Sequence, residues 1–351
     1  MAVSHNIYIH VPFCAAKCNY CAFYSLPLPN PDWEKYADGI CGELKFWSQK
    51  FGKIKIPTIF FGGGTPSLMP CQIFERIMRC IFDCFVVDSG CEITLESNPG
   101  TLDRQKLSEF VAIGVNRLSV GVQSLNDDEL LFLGRRHNAR QSRDLLIAAQ
   151  NMNLCVSADF IYGLPNHNEK SVIDLCNEIN KLGLSHASLY ELTIEKNTPF
   201  WKKNMDMPDN ETMANMYIAI GENLSLPRYE VSNYAAPGCE CRHNQNIWNG
   251  DAYIGIGRGA AGRVFINNTW YDQRGNNELF EPIDNDTRAV EKIITGLRTM
   301  RGVKLTDDVK KQIDFDWMNT HKDLVAIENE YLHTTAKGLL ILDDITTDLI
   351  K

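Results

Sequence analysis

Residues 7–21 read Ile-Tyr-Ile-His-Val-Pro-Phe-Cys-Ala-Ala-Lys-Cys-Asn-Tyr-Cys, an apolar run leading straight into three cysteines spaced CxxxCxxC. Cys14, Cys18 and Cys21 supply three thiolates and no nearby fourth, since the next cysteine is Cys41. A structural zinc ion asks for a tetrahedron of ligands, with another Cys or His close by. A 4Fe–4S cluster on three thiolates keeps one iron free of protein, open to a small molecule that chelates through nitrogen and oxygen. Tyr20, beside the last cysteine, offers a flat face to a purine. Taken alone, the spacing still admits a zinc site, a disulfide pair or three buried thiols.

Strand-like runs recur outward from this stretch at 6–13, 58–63, 92–97, 117–123, 156–163 and 186–193. Helical patterns fill 31–50, 70–85, 102–113, 139–152 and 168–182, with a shorter one near 126–133. Strands alternating with helices read as βαβ units in a parallel sheet, an α/β fold. A full eight-unit barrel takes about 250 residues, so residues 6–195 hold about six units. The reading is a partial (β/α)6 barrel over 1–215 and a connecting region over 216–287. A small C-terminal module, helical or winged-helix, covers 288–351. The segments 232–250 and 263–287 read as loops, apart from a Gly-rich strand near 252–262 and a short strand at 263–266.

In barrels of this kind, chemistry collects at the C-terminal ends of the strands. The second run leads into Gly62-Gly63-Gly64-Thr65-Pro66, where missing Cβ atoms let backbone approach a ligand. The third leads into Glu96-Ser97-Asn98-Pro99, with Glu96 suited to an ammonium or ribose hydroxyls. Gln123 ends the fourth, Arg135 follows it, and Asp159 lies on the fifth. Each alone has a plain reading, as a tight turn, a surface polar group or a salt-bridge partner. Their common place at strand ends, after a cluster-like motif, favours a ligand site. Gly255-x-Gly257-x-Gly259 is followed by a strand, not a helix, and so is no dinucleotide loop.

The three cysteines with Tyr20 resemble the radical S-adenosylmethionine (SAM) superfamily. Adding Tyr8, Gly63-Gly64-Thr65, Glu96, Gln123, Arg135, Asp159 and Ile-Tyr-Gly-Leu-Pro at 161–165, the chain resembles oxygen-independent coproporphyrinogen III dehydrogenase and its relatives over most of residues 6–265. The resemblance implies a 4Fe–4S cluster on the three cysteines, with SAM contacted by the other matching positions. The dehydrogenase carries a further cysteine two residues after its motif and a long N-terminal extension. Here that position is Phe23, and only thirteen residues precede Cys14. Both departures resemble the haem-chaperone branch, whose HNxxYW motif is implicated in haem binding. It reads His243-Asn244-Gln245-Asn246-Ile247-Trp248 here, with Ile247 where the motif has tyrosine. His243 is a candidate axial ligand, Trp248 a stacking surface and Cys241 a competing thiolate; the plain reading is a buried structural loop. The resemblance implies haem as ligand, a haem-acceptor protein as partner, and porphyrin oxidation as the catalytic alternative. A dimer stays open.

Composition sets the outer limits. The 351 residues are 44% hydrophobic, enough for a sizeable core. No apolar stretch approaches the roughly 20 residues that span a bilayer, and the first residues show no secretory pattern, so a cytoplasmic protein is expected. Twelve cysteines in such a chain point to reduced thiols, most of them small core residues. A net charge of −9 offers no basic face to a nucleic acid, and no nucleic-acid partner is expected.

Overall fold

The computed structural model describes residues 3–274 and 279–351. Six parallel strands form its spine: β1 (Asn6–Val11), β2 (Lys55–Gly63), β3 (Val86–Ser97), β4 (Arg117–Gln123), β5 (Cys155–Tyr162) and β6 (His186–Glu191). They lie side by side in chain order, each hydrogen-bonded to the next. The crossovers carry α1 (Trp33–Phe51), α2 (Cys71–Cys84), α3 (Arg104–Ile113), the short α4 (Asp127–Phe132), α5 (Ala139–Gln150) and α6 (Glu169–Leu182). The expected α/β partial barrel is therefore present, and its strands and helices fall within a few residues of the sequence pattern.

Local chemistry explains the helix starts. Asp32, Asp103, Asn126, Asn138 and Asn168 cap α1, α3, α4, α5 and α6, each accepting from a backbone N–H of the first turn. Those N–H groups have no partner inside the helix, so the side-chain oxygens stabilise each start by about 1 kcal/mol. One continuous core fills the barrel wall between the strands and helices, from Ile7 and Ile9 through Phe61, Phe74 and Phe110 to Phe160.

Three corrections to the sequence reading concern residues beyond β6. The region 232–250 is not a loop. It holds β7 (Asn233–Ala235), antiparallel to β6, and α8 (Arg242–Trp248). The start of α8 is held by Glu92 of β3, whose carboxylate accepts from the backbone N–H of His243 at 2.9 Å and of Arg242 at 3.2 Å. Such a cap from a distant strand leaves no local sequence signal. Similarly, the short strand expected at 263–266 is present as β9 (Ala261–Ile266), but the stretch after it, read as loop, carries two more strands, β10 (Thr269–Arg274) and β11 (Leu279–Ile283). Two of the asparagines there are turn residues. Asn267 and Asn268, at φ 51° and 62°, make the tight hairpin between β9 and β10, a conformation that asparagine tolerates well. Finally, β8 (Tyr253–Ile256) is a seventh parallel strand, paired with the free side of β1, and β9 to β11 extend the sheet from it. A Cβ on Gly255 would meet the Ala261 carbonyl oxygen at 2.2 Å, so this glycine serves close strand packing.

The boundary expected at 215/216 falls inside α7 (Asn210–Asn223). After α9 (Asn285–Gly296), the C-terminal part has a core of its own, with Ile293, Leu297, Val309, Leu332 and Ile345 buried together. Its three short strands, β12 (Val303–Lys304), β13 (Val325–Glu328) and β14 (Tyr331–Thr334), form an antiparallel sheet beside small helices, as a winged-helix-like module does. No helix among the described residues is long and apolar enough to cross a membrane.

Candidate functional site

Two cavities lie within the barrel. The upper one, of about 430 Å³, sits at the C-terminal ends of the strands. Cys14, Cys18, Tyr20, Cys21, Gly63, Gly64, Thr65, Glu96, Gln123, Arg135 and Asp159 all line it, so most sequence-nominated residues come together at one place. Of the positions matched to SAM contacts, Tyr8 is the exception. Its hydroxyl is 3.0 Å from His10 Nδ1, and its ring faces the second cavity.

The loop after β1 carries the cysteines and is tied to both sides of the barrel. Asn19 donates through its backbone N–H to the Leu133 carbonyl and through Nδ2 to the Phe132 carbonyl. Two side chains donate to the sulfurs: Thr65 Oγ1 to Cys14 at 3.6 Å and Arg135 Nη1 to Cys18 at 3.4 Å. Among the described residues no three His, Cys, Asp or Glu converge where a single metal ion could sit. A cluster does not ask for that convergence, because each thiolate binds a different iron, and donors to sulfur are the contacts that tune such a cluster. The donor set therefore fits a three-thiolate cluster. Burial pushes the Cys14 and Cys21 thiols up, so metal binding there would release protons.

Arg135 is held by uncharged acceptors. Its Nη2 donates to the Gly121 carbonyl at 2.6 Å and to Asn98 Oδ1, and Asn98 Nδ2 in turn donates to Thr65 Oγ1 at 2.9 Å. Asn98 thus positions two groups that touch the cysteines. Sequence reading passed it over, although it stands two residues after Glu96 at a strand end. Gln123 adopts φ 70° beside a register shift between β4 and β5. The left-handed region costs a non-glycine residue free energy, and such strain collects at ligand sites.

Glu96 accepts from the Gly63 backbone N–H at 3.0 Å. Burial, then the nearby Asp159 charge, raise its carboxyl to about 8. Burial likewise pushes Asp159 up, against hydrogen bonds from serines, including Ser119 Oγ at 3.0 Å.

The lower cavity, of about 410 Å³, is walled by Tyr8, Phe60, Thr94, Arg117, His186 and Tyr253, and α8 closes its floor with Cys241, His243, Asn244 and Ile247. It shares Glu96, Ser119, Asp159 and Tyr190 with the upper one, so the two adjoin. His243 was expected in a loop; it sits instead in a helix, outside the upper cavity and at the far end of the same barrel. Its ring lies 5.0 Å from that of Phe60.

A chain of hydrogen bonds fixes the proton on His243. Asn6 Nδ2 donates to the Ala252 carbonyl, which leaves Asn6 Oδ1 as an acceptor. Thr58 gives its one hydroxyl proton to that Oδ1 at 2.8 Å. At 2.7 Å from Thr58 Oγ1, His243 Nδ1 must then be the donor. Burial lowers the ring's pKa to about 3, so it is neutral and Nε2 carries a bare lone pair. That Nε2 is buried without a partner, as are Thr94 Oγ1 and Arg117 Nη2 on the same cavity.

Cys241 differs from a poised thiolate. Burial and the Glu92 charge push it up to about 12, and its Sγ contacts Glu92 Oε1 at 3.8 Å. Trp248 does not line this cavity; its ring lies 6.4 Å from Tyr229. Ile247, in the motif's tyrosine position, does line it.

Comparison with known proteins agrees with this geometry. The family model of the radical SAM superfamily matches residues 8–179. The heme chaperone HemW of Buchnera aphidicola is 36% identical over 264 residues, covering 74% of this chain and 70% of its own. That of Lactococcus lactis is 30% identical and covers 97% of this chain and 98% of its own. Among solved structures, coproporphyrinogen III oxidase (HemN) from Escherichia coli, a radical SAM enzyme, superposes with a TM-score of 0.83 over 99% of this chain and 90% of that one. At 19% identity the latter likeness speaks for the fold alone.

Proposed function

The chain belongs to the HemW family of haem chaperones, and from that premise we propose that it binds haem and hands it to an acceptor protein in the cytoplasm. Cys14, Cys18 and Cys21 hold a 4Fe–4S cluster, and Gly63, Gly64, Thr65, Glu96, Gln123, Arg135 and Asp159 surround S-adenosylmethionine beside it. Such a cluster supplies an open iron for SAM and an electron. Arg135 holds the Cys18 sulfur and Thr65 that of Cys14, and Asn98 holds both donors in turn.

One observation supports the haem reading most. His243 presents an unpartnered, neutral Nε2 to a cavity, with its other ring nitrogen donating to Thr58. Iron-ligating imidazoles are built this way, since the outer hydrogen bond fixes the tautomer and raises ligand basicity. Phe60 and Ile247 give the same cavity apolar walls for a porphyrin. Haem titration of the anaerobically reconstituted protein tests this reading. Saturable uptake of one haem per chain is expected; uptake that never saturates removes the chaperone function from this chain.

Glu96 gives the SAM site a pH dependence. Its carboxyl is mostly protonated at neutral pH in the free protein, and an ammonium group needs the carboxylate. Binding therefore expels a proton, and the affinity for SAM falls as pH drops below about 8. Calorimetric titration of SAM across this range checks it. Glu96→Gln is expected to weaken binding and flatten the slope; an unchanged slope in the variant removes Glu96 from the ammonium site.

A further inference from the structure

Nine of the twelve cysteines lie outside the CxxxCxxC motif, and seven of these are buried. The two that reach solvent, Cys155 and Cys239, face each other with their Sγ atoms 3.8 Å apart. They come from separate parts of the chain. Cys155 opens β5, and Cys239 lies in the turn that leads into α8. That turn is built to yield. Pro237 and Gly238 are exposed, Gly238 has φ 83°, and the Cys239 N–H closes the turn on the Ala236 carbonyl at 2.9 Å.

We propose that Cys155 and Cys239 are a redox modification site, a dithiol that forms a reversible intramolecular disulfide and pins the lead-in of α8 to the barrel wall. A disulfide needs the sulfurs at about 2.05 Å, so they must close by less than the width of an atom. Side-chain rotation and the glycine turn supply that movement. The oxidant is a low-molecular-weight disulfide of the glutathione class. The Cys239 thiolate, on the exposed turn, attacks one sulfur of the oxidant, forming a mixed disulfide and expelling one thiolate. The Cys155 thiolate then attacks Cys239 Sγ and expels the second. Two protein thiols and one small disulfide become one protein disulfide and two small thiols, with two electrons passed to the oxidant.

The pair lies at the opposite end of the barrel from the cluster cysteines and is mechanically joined to the lower cavity. The Cys239 carbonyl accepts from Arg117 Nη1 at 2.8 Å, and that arginine presents its other nitrogen to the cavity. Two residues after Cys239 comes Cys241, which begins the helix that carries His243. Oxidation thus restrains the floor of the cavity without touching the cluster ligands. Burial and the facing Cys239 push Cys155 up, which makes it the resolving thiol and not the attacking one.

The test uses full-length, cluster-loaded protein, incubated anaerobically with excess glutathione disulfide, alkylated, digested and mapped by mass spectrometry. The expected product is a linked peptide joining Cys155 to Cys239, lighter than the two free thiols by two hydrogens and reversed by dithiothreitol. Hydrogen exchange of residues 242–248 is expected to slow in the oxidised protein. Cys155→Ser is expected to stop at a glutathione adduct on Cys239, and Cys239→Ser to give neither link nor slowing. Full alkylation of both thiols in the wild-type protein, or a link between other cysteines, overturns the proposal. Unchanged exchange in 242–248 after the link has formed overturns the restraint on α8.

Discussion

Replacing Cys14, Cys18 and Cys21 together with alanine removes nearly all bound iron and the broad visible absorbance after anaerobic reconstitution, whereas Cys80→Ala leaves iron content unchanged. The contrast follows from placement. The three motif sulfurs line a cavity at the strand ends, where Thr65 donates to Cys14 and Arg135 to Cys18. Cys80 is buried between α1 and α2, with its Sγ on the Cys41 carbonyl at 3.8 Å, the environment of a small apolar residue. Iron and sulfide assays on the two variants read the result directly. About four irons per chain retained by the triple variant, the load of one intact cluster, sinks the assignment.

His243→Ala is expected to weaken haem binding at least tenfold or to shift its absorbance away from that of an imidazole complex, with cluster iron unchanged. The expectation rests on the unpartnered lone pair of His243 Nε2 at the floor of the lower cavity. Cys241→Ser is expected to bind haem like the wild type, because Cys241 is a buried neutral thiol held on Glu92. Haem titrations of the three proteins, read by absorbance, separate the ligands. If the histidine variant binds haem with unchanged affinity and spectrum, His243 is a structural residue. A loss confined to the cysteine variant moves the ligand to sulfur.

The barrel was legible in the sequence because its signals are local. Strand runs, helical patterns and glycines at strand ends each act within a few residues, and all pointed to one architecture. The upper site was legible for the same reason, since a strand end places its residue on the cavity. What escaped was set by contacts distant in sequence. The helix holding His243 begins where Glu92, about 150 residues earlier, meets its first N–H groups. The proton on His243 is fixed through Thr58, Asn6 and Ala252, three residues from three different segments. Asn98 was given no role in the stretch 96–99, yet it positions both Arg135 and Thr65. Asn267 and Asn268 looked like loop composition and proved to be hairpin residues between paired strands.

The chaperone account separates from porphyrin oxidation at one position on the rim of the upper cavity. Phe23 stands there, 71% exposed, where the dehydrogenase resemblance calls for a further cysteine. The most direct measurement is product analysis after incubating the cluster-loaded protein with coproporphyrinogen III, SAM and a strong reductant under anaerobic conditions. The account predicts no vinyl product from a protein that takes up one haem per chain in a parallel titration. Repeated turnover to the divinyl porphyrinogen would contradict it and make the protein a dehydrogenase.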